Sequence, residues 1–258
     1  MLLEAVEVSK TFRSRRTAAP VHAVQNASLQ ARPGEFIAIV GESGSGKSTL
    51  ARILLDLIEP TSGSVQWDGQ EISSMDRAEH QAYRRNVQAV LQDPAGSLNP
   101  RKRVVQAIGE VIRLHGMARS SADVGRRVAE VLDLVGMTPG RDFMDRFPHE
   151  LSGGQRQRVL IARAIALDPK IIVADEAVSA LDASVKAGVL AIMADLKERL
   201  GVGYVFITHD LPVVRKVADH VYVMRHGRIV EHGPKDAIFA DPSHPYTQEL
   251  LAAAPALP

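Results

Sequence analysis

No cysteine occurs among the 258 residues, which excludes disulfides, thiolate metal sites and cysteine-ligated iron–sulfur clusters. An excess of charge is missing too. The 31 Lys and Arg are matched by 30 Asp and Glu, so the balance gives no reason to expect a nucleic-acid or anionic-lipid surface. Apolar runs such as Phe36–Val40 and Ile171–Ala174 fall far short of the ~20 residues that a membrane span needs. The opening stretch Met1–Val8 is too short and too acidic for a signal peptide. Internal repeats, low-complexity tracts and long charge runs are absent as well. The expectation is a soluble, cytoplasmic protein that serves a membrane, if at all, through a bound partner. Apolar residues make up 45% of the chain, enough for a sizeable core. The length suits one α/β domain, or one domain with a subdomain inserted in it.

Short β-like runs alternate with helical patterns, which predicts a largely parallel sheet flanked by helices. Leu2–Val8 reads as a strand, followed by an Arg-rich loop from Arg13 to Pro20. Phe36–Val40, Ile171–Ala174 and Tyr204–Thr208 read as strands buried on both faces. Asp68-Gly69 and His226-Gly227, each between two β-like runs, predict hairpins. After Asp182, the residues Val185, Val189, Ile192, Leu196 and Leu200 share one helical face, and Gly201 ends it. From about Asp93 to Arg146 the pattern turns helical. One helix there carries Val124, Val128, Val131, Leu132 and Val135, with Ser121 as its predicted N-cap.

Three segments carry chemistry. Gly41-Glu42-Ser43-Gly44-Ser45-Gly46-Lys47-Ser48 matches the phosphate-loop pattern without a mismatch, between a buried strand and a helical stretch from Ser48 to Ile58 that takes in Thr49. Glycines let the backbone turn tightly and aim N–H groups at phosphates, and the helix N-terminus adds positive potential. Lys47 would reach the β- and γ-phosphates of ATP, and Ser48 would ligate Mg²⁺. The strand Ile171–Ala174 ends in Asp175-Glu176. Neighbouring strand side chains point to opposite faces, so Asp175 can hold the Mg²⁺ shell while Glu176 orients or deprotonates the attacking water. Ser152-Gly153-Gly154-Gln155 opens another helix and reads as a second anion-binding nest, one that a second chain could present to this chain's nucleotide.

Leu151–Gln155, placed between the phosphate loop and the Asp-Glu strand, resembles the signature of ABC ATPases, and the resemblance extends over nearly the whole chain. It implies a P-loop NTPase core with an antiparallel β region, all 258 residues forming one ATPase domain, and a helical signature subdomain inserted at about 93–165. It also implies that Phe12 stacks on adenine, although an edge-of-core phenylalanine is the other reading. Gln92 would touch Mg²⁺ and the attacking water and begin the loop that couples to a membrane subunit. Ser179–Asp182 would face the partner ATPase, with Asp182 also an N-cap, and His209 would contact the γ-phosphate. One departure stands out: the family has proline after the Asp-Glu pair, where this chain has Ala177. Alanine lacks proline's fixed φ, which predicts local loosening around Glu176.

Gln92–Arg101 and His244–Leu251 resemble segments of nickel, dipeptide and oligopeptide importers. That resemblance implies a second ABC ATPase subunit, identical or different, two transmembrane permease subunits and, indirectly, an extracytoplasmic binding protein. The protein would be peripheral on the cytoplasmic face of the membrane, with peptide or nickel as cargo and no nucleic-acid partner. Two other kinds of ABC ATPase stay open: a repair or translation factor, and an accessory ATPase of phosphonate breakdown.

Overall fold

Phe36–Val40 contains no polar side chain, and all five of its residues are buried, as a strand covered on both faces requires. The computed structural model describes residues 1–13, 20–91, 94–179 and 181–253. In chain order they form β1 (Leu3–Phe12), β2 (Val21–Ala31), β3 (Phe36–Val40), α1 (Lys47–Leu54), β4 (Ser62–Trp67), β5 (Gln70–Glu71), α2 (Arg77–Asn86), β6 (Val87–Val90) and α3 (Pro94–Ser97). There follow α4 (Val104–Leu114), α5 (Ser121–Leu134), α6 (Gly153–Ile165), β7 (Ile171–Asp175), α7 (Ala183–Leu200), β8 (Gly203–Ile207), α8 (Leu211–Val217), β9 (His220–Arg225), β10 (Arg228–Pro234), α9 (Lys235–Ala240) and α10 (Pro245–Ala252). The chain divides into two compact units, one made of Met1–His80 with Gly203–Pro258, the other of Gln81–Val202.

In the first unit β2, β1, β4 and β5 form an antiparallel sheet in that order. A second set of strands runs β10-β9-β3-β8. There β3 lies parallel to both neighbours, with Ile39 opposite Ile207 on one side and Tyr222 on the other. Phe36 packs on Tyr204 and Phe206, with ring centroids 4.9 and 5.6 Å apart. Because β3 and β8 are parallel and in register, the loops after Val40 and after Ile207 leave from one edge of the sheet. Carboxyl ends of parallel strands are where ligands of such sheets bind. Both predicted hairpins form. Asp68 and Gly69 have φ of +51° and +81°, and His226 and Gly227 have +47° and +83°, the paired left-handed residues of a type I′ turn.

In the second unit β6 and β7 pair in parallel, with Val87 opposite Ile171. Helix α5 is capped by Ser120, whose hydroxyl accepts from the Asp123 N–H. The predicted Ser121 is instead the first helical residue, one place on. Two adjacent serines before the same apolar period leave that choice to backbone geometry. Helix α7 ends at Gly201 with φ +67°, as expected, but its buried side is Val189, Leu190, Met193 and Leu196. Leu200 is exposed. Asp182 occupies the N-cap position of α7, yet its side chain caps no N–H.

The C-terminal end of the first unit is clipped to β10 by Glu231. Its carboxylate accepts from the Ser243 N–H and hydroxyl, both at 2.7 Å, and from the His244 N–H at 3.2 Å. Burial works to raise its pKa, but the hydrogen bonds from Ser243 and His244 outweigh that and lower it to about 2. A carboxylate whose folded pKa lies below its unfolded value stabilises the fold above the unfolded pKa, and that contribution is lost as pH falls toward the folded one. The melting temperature should therefore drop between about pH 4.5 and about pH 2, and Glu231→Gln should flatten this part of the profile. A variant profile parallel to that of the wild type would remove Glu231 as its source.

Candidate functional site

Gly41 and Gly46 bracket a loop with no room for side chains at its ends. A Cβ on Gly41 would lie 2.1 Å from the Met224 carbonyl oxygen, and one on Gly46 would lie 2.2 Å from that of Ala23. Their φ values of +149° and +105° belong to glycine as well. Between them the Ser45 N–H donates to the Glu42 carbonyl at 3.2 Å. The Ser45 carbonyl in turn accepts from the Gly227 N–H at 2.9 Å, which ties the loop to the β9–β10 turn.

Lys47, only 6% exposed, folds back into this loop. Its Nζ donates to the carbonyl oxygens of Gly41 and Glu42, both at 2.8 Å, and to Ser45 Oγ at 3.3 Å. An ammonium in that position brings a buried positive charge to the loop, which the oxygens of an anion would neutralise. Helix α1 begins at Lys47 itself. Its N-terminus has no side-chain cap and no acidic residue in the first turn, so the positive end of the helix is left for an anion. Glu42, Ser43 and Gly44 are exposed, and Ser48 and Thr49 are half-buried. These features fit a phosphate group, and the Ser48 hydroxyl is the kind of hard oxygen donor that Mg²⁺ takes.

Two further predicted residues lie in the same unit. His209 is exposed and follows Thr208, whose N–H donates to the Ile39 carbonyl at 3.2 Å. It therefore sits at the sheet edge from which the phosphate loop springs. Phe12 ends β1, opposite Val21, and is 43% exposed. An exposed ring fits stacking on a base and argues against the edge-of-core alternative.

The second unit holds the remaining described residues. Asp175 ends β7 and is buried, 6% exposed. Glu176 has φ +48°, a left-handed conformation that costs a non-glycine residue on the order of 1–3 kcal/mol and collects at functional sites. Its carbonyl is gripped by the Ser179 N–H at 3.1 Å and the Ser179 hydroxyl at 2.9 Å. The backbone of Glu176 is thus pinned from three residues downstream, with Ala177 where the family has proline.

Ser152 and Gln155 form a reciprocal capping box at the start of α6. The Ser152 hydroxyl accepts from the Gln155 N–H at 3.2 Å, and the Ser152 N–H donates to Gln155 Oε1 at 2.9 Å. The predicted nest is therefore narrower than its four residues, with the N–H groups of Gly153 and Gly154 as its donors. The two glycines differ: a Cβ on Gly154 would meet Val185 Cγ1 at 2.4 Å, whereas one on exposed Gly153 would come only within 3.8 Å of Leu181. Gln92 lies outside the described residues, as do the Arg-rich positions 14–19.

Sequence reasoning missed one residue at the loop. Tyr246 accepts a hydrogen bond from the Glu42 N–H at 3.0 Å, although the segment around it had read only as a family marker. The Pro-Tyr-Thr run after a capping His244 was its sole signal.

Residues 24–179 match the family described as ABC transporter, and residues 230–258 match the oligopeptide/dipeptide transporter C-terminal region. The glutathione import ATP-binding protein GsiA of Salmonella paratyphi A is 48% identical over 240 residues, covering 93% of this chain and 38% of that protein. GsiA of Escherichia coli K12 gives the same three figures. The chain thus spans about 38% of the length of these curated relatives. Among solved structures, a dimeric post-hydrolysis state of the ATP-binding cassette MJ0796 bound to ADP and Pi superposes with a TM-score of 0.78 at 29% identity, over 90% of this chain and 98% of that one. For cbiO1 from Clostridium perfringens, part of the ABC transporter complex cbiONQ, the values are 0.79 and 27%, over 93% and 90%. The family match takes in more than half of the sequence, so the chain belongs to the ABC transporter family, in which it forms an ATPase domain with the P-loop NTPase fold.

Proposed function

We propose that this chain is the ATP-hydrolysing motor of a membrane importer for short peptides. The observation that carries the reading is the glycine-bounded loop closed over the buried Lys47 ammonium, at the uncapped N-terminus of α1. In this reading Gly41–Thr49 bind the triphosphate, Phe12 stacks on adenine and His209 meets the γ-phosphate. Ser48, Gln92 and Asp175 are the Mg²⁺ ligands, directly or through water, and the ion, when bound, offsets phosphate charge. Glu176 takes or orients the proton of the attacking water. The helical signature subdomain at about 93–165 belongs to the same single ATPase domain.

Two such domains would close over ATP, each offering its Ser152–Gln155 start of α6 to the other's nucleotide, and hydrolysis would release them. The second domain is identical or different. The dimeric form of MJ0796 bound to ADP and Pi and the 48% identity to GsiA support this reading. The match of residues 230–258 to a peptide-transporter region supports a peptide cargo, glutathione being a tripeptide. Neither supports nickel. No helix among the described residues is long and apolar enough to cross a membrane, so two permease subunits would supply the path. An external binding protein would deliver the cargo, and this chain would sit on the cytoplasmic face.

Purification of the tagged chain from detergent-solubilised membranes tests this. Two multispanning polypeptides are expected to accompany it. Recovery with ribosomes, DNA-repair factors or a soluble lyase complex would overturn the transport reading.

A second test separates signature function from folding. Gly153→Ala has room for its methyl group, so its melting temperature should stay within about 2 °C of wild type, a shift corresponding to at most about 1 kcal/mol. ATP-driven dimerisation, followed by light scattering, should nevertheless fall at least about tenfold, because a methyl group on this exposed residue would crowd a phosphate held by the nest's N–H groups. Gly154→Ala should instead destabilise the fold by about 1–3 kcal/mol, through overpacking against Val185. Undiminished dimerisation in Gly153→Ala would remove that residue from the interface.

A further inference from the structure

The peptide unit between Gly41 and Glu42 is gripped at both of its polar ends. Its carbonyl accepts from Lys47 Nζ at 2.8 Å, and its N–H donates to the Tyr246 hydroxyl at 3.0 Å. A peptide group is planar and rigid, so whatever fixes the direction of the N–H also fixes the direction of the carbonyl. The preceding residue is glycine with φ +149°, and glycine offers little resistance to a flip of the plane. An outside contact is what holds it.

Tyr246 is built to provide that contact. It is 1% exposed, and its ring belongs to a buried cluster with Val40, Val214 and Ile238. The Arg225 guanidinium lies 4.5 Å from the ring centroid, a cation–π distance. The Tyr246 N–H donates to His244 Nδ1 at 3.1 Å, and His244 is clipped to β10 by Glu231. The hydroxyl therefore stands on a fixed base, 204 residues along the chain from the amide it accepts from.

We propose that Tyr246 is a positioning residue for phosphate binding: its hydroxyl holds the 41–42 peptide plane in the orientation that places the Lys47 ammonium at the mouth of the loop. The assignment rests on the nucleotide-binding reading above and ties the peptide-transporter C-terminal region to the ATP site. Tyr246→Phe removes only the hydroxyl and keeps the ring on Arg225 and in the core.

The test uses the full chain and ATP itself, with affinity measured by calorimetry and amide exchange by magnetic resonance. Loss of one hydrogen bond of this kind predicts ATP affinity about 3- to 10-fold weaker in Tyr246→Phe. Exchange at the Glu42 amide should be faster by a similar factor, while the amides of Ile37 and Ile39 in β3 keep their wild-type rates. Val214→Ala loosens the same cluster and leaves the hydroxyl contact, so it should bind ATP as the wild type does. Wild-type affinity in Tyr246→Phe, unchanged exchange at Glu42, or equal weakening in Val214→Ala would each overturn the positioning role and leave the nucleotide reading intact. A wild-type chain that does not bind ATP would remove both.

Discussion

Glu176→Gln should bind ATP within about twofold of the wild type and yet turn over about 10²–10⁴ times more slowly, the range that a positioned general base contributes. Glutamine keeps the shape of the side chain and loses the ability to take a proton. Its backbone should stay in place, because both bonds to the Glu176 carbonyl come from Ser179 and neither depends on the side chain. The cost of the left-handed φ is unchanged, so the melting temperature should barely move. Steady-state phosphate release gives turnover, calorimetry gives binding, and size-exclusion chromatography with MgATP should reveal an accumulated dimer. A fall in kcat and kcat/KM together, with affinity kept, marks an interaction made only in the transition state. Turnover at the wild-type rate would strip Glu176 of its role.

Lys47→Ala should weaken ATP binding by about 100-fold or more. A lysine shared between two phosphates makes at least two charge-assisted hydrogen bonds, each worth about 1.5–3 kcal/mol. The same substitution takes donors from the Gly41 and Glu42 carbonyls and from Ser45 Oγ. Some loss of melting temperature is therefore expected alongside, and calorimetry must be run below it. Lys47→Arg is the informative companion. The site is 6% exposed and its contacts are close, so a planar guanidinium cannot follow the ammonium geometry. It should rescue stability better than affinity. Undiminished ATP binding in Lys47→Ala would end the phosphate-loop assignment.

Much of this arrangement was legible beforehand because it is local. Asp68-Gly69 and His226-Gly227 announce their turns by chemistry that acts over two residues, and Gly201 stops α7 by the same means. Continuous apolar runs such as Phe36–Val40 announce burial. Where two local signals competed, the reading slipped. Ser120 and Ser121 are equivalent as letters, and only the backbone decides which hydroxyl faces the Asp123 amide. Asp182 has the right chemistry for a cap but its side chain makes no cap bond. The Ser152–Gln155 pair reads as a phosphate nest, yet half of its donors are spent on each other. Leu200 has the right period and is exposed all the same, because period reports a face and not what covers it.

By itself, the amino-acid sequence determined the class of chemistry. The order of glycines, Lys47, Ser48 and the Asp175-Glu176 pair states which groups exist and roughly how far apart along the chain they lie. Tertiary structure alone decided how those groups are held: Gly41 pressed on Met224, Gly46 on Ala23, and the Glu42 amide on Tyr246. A motif is written in short-range geometry, which a few bonds transmit. Contacts that join Gly41 to Met224 and Glu42 to Tyr246, nearly the length of the chain apart, depend on how sheet and core bring distant segments together, and no spacing along the chain encodes that.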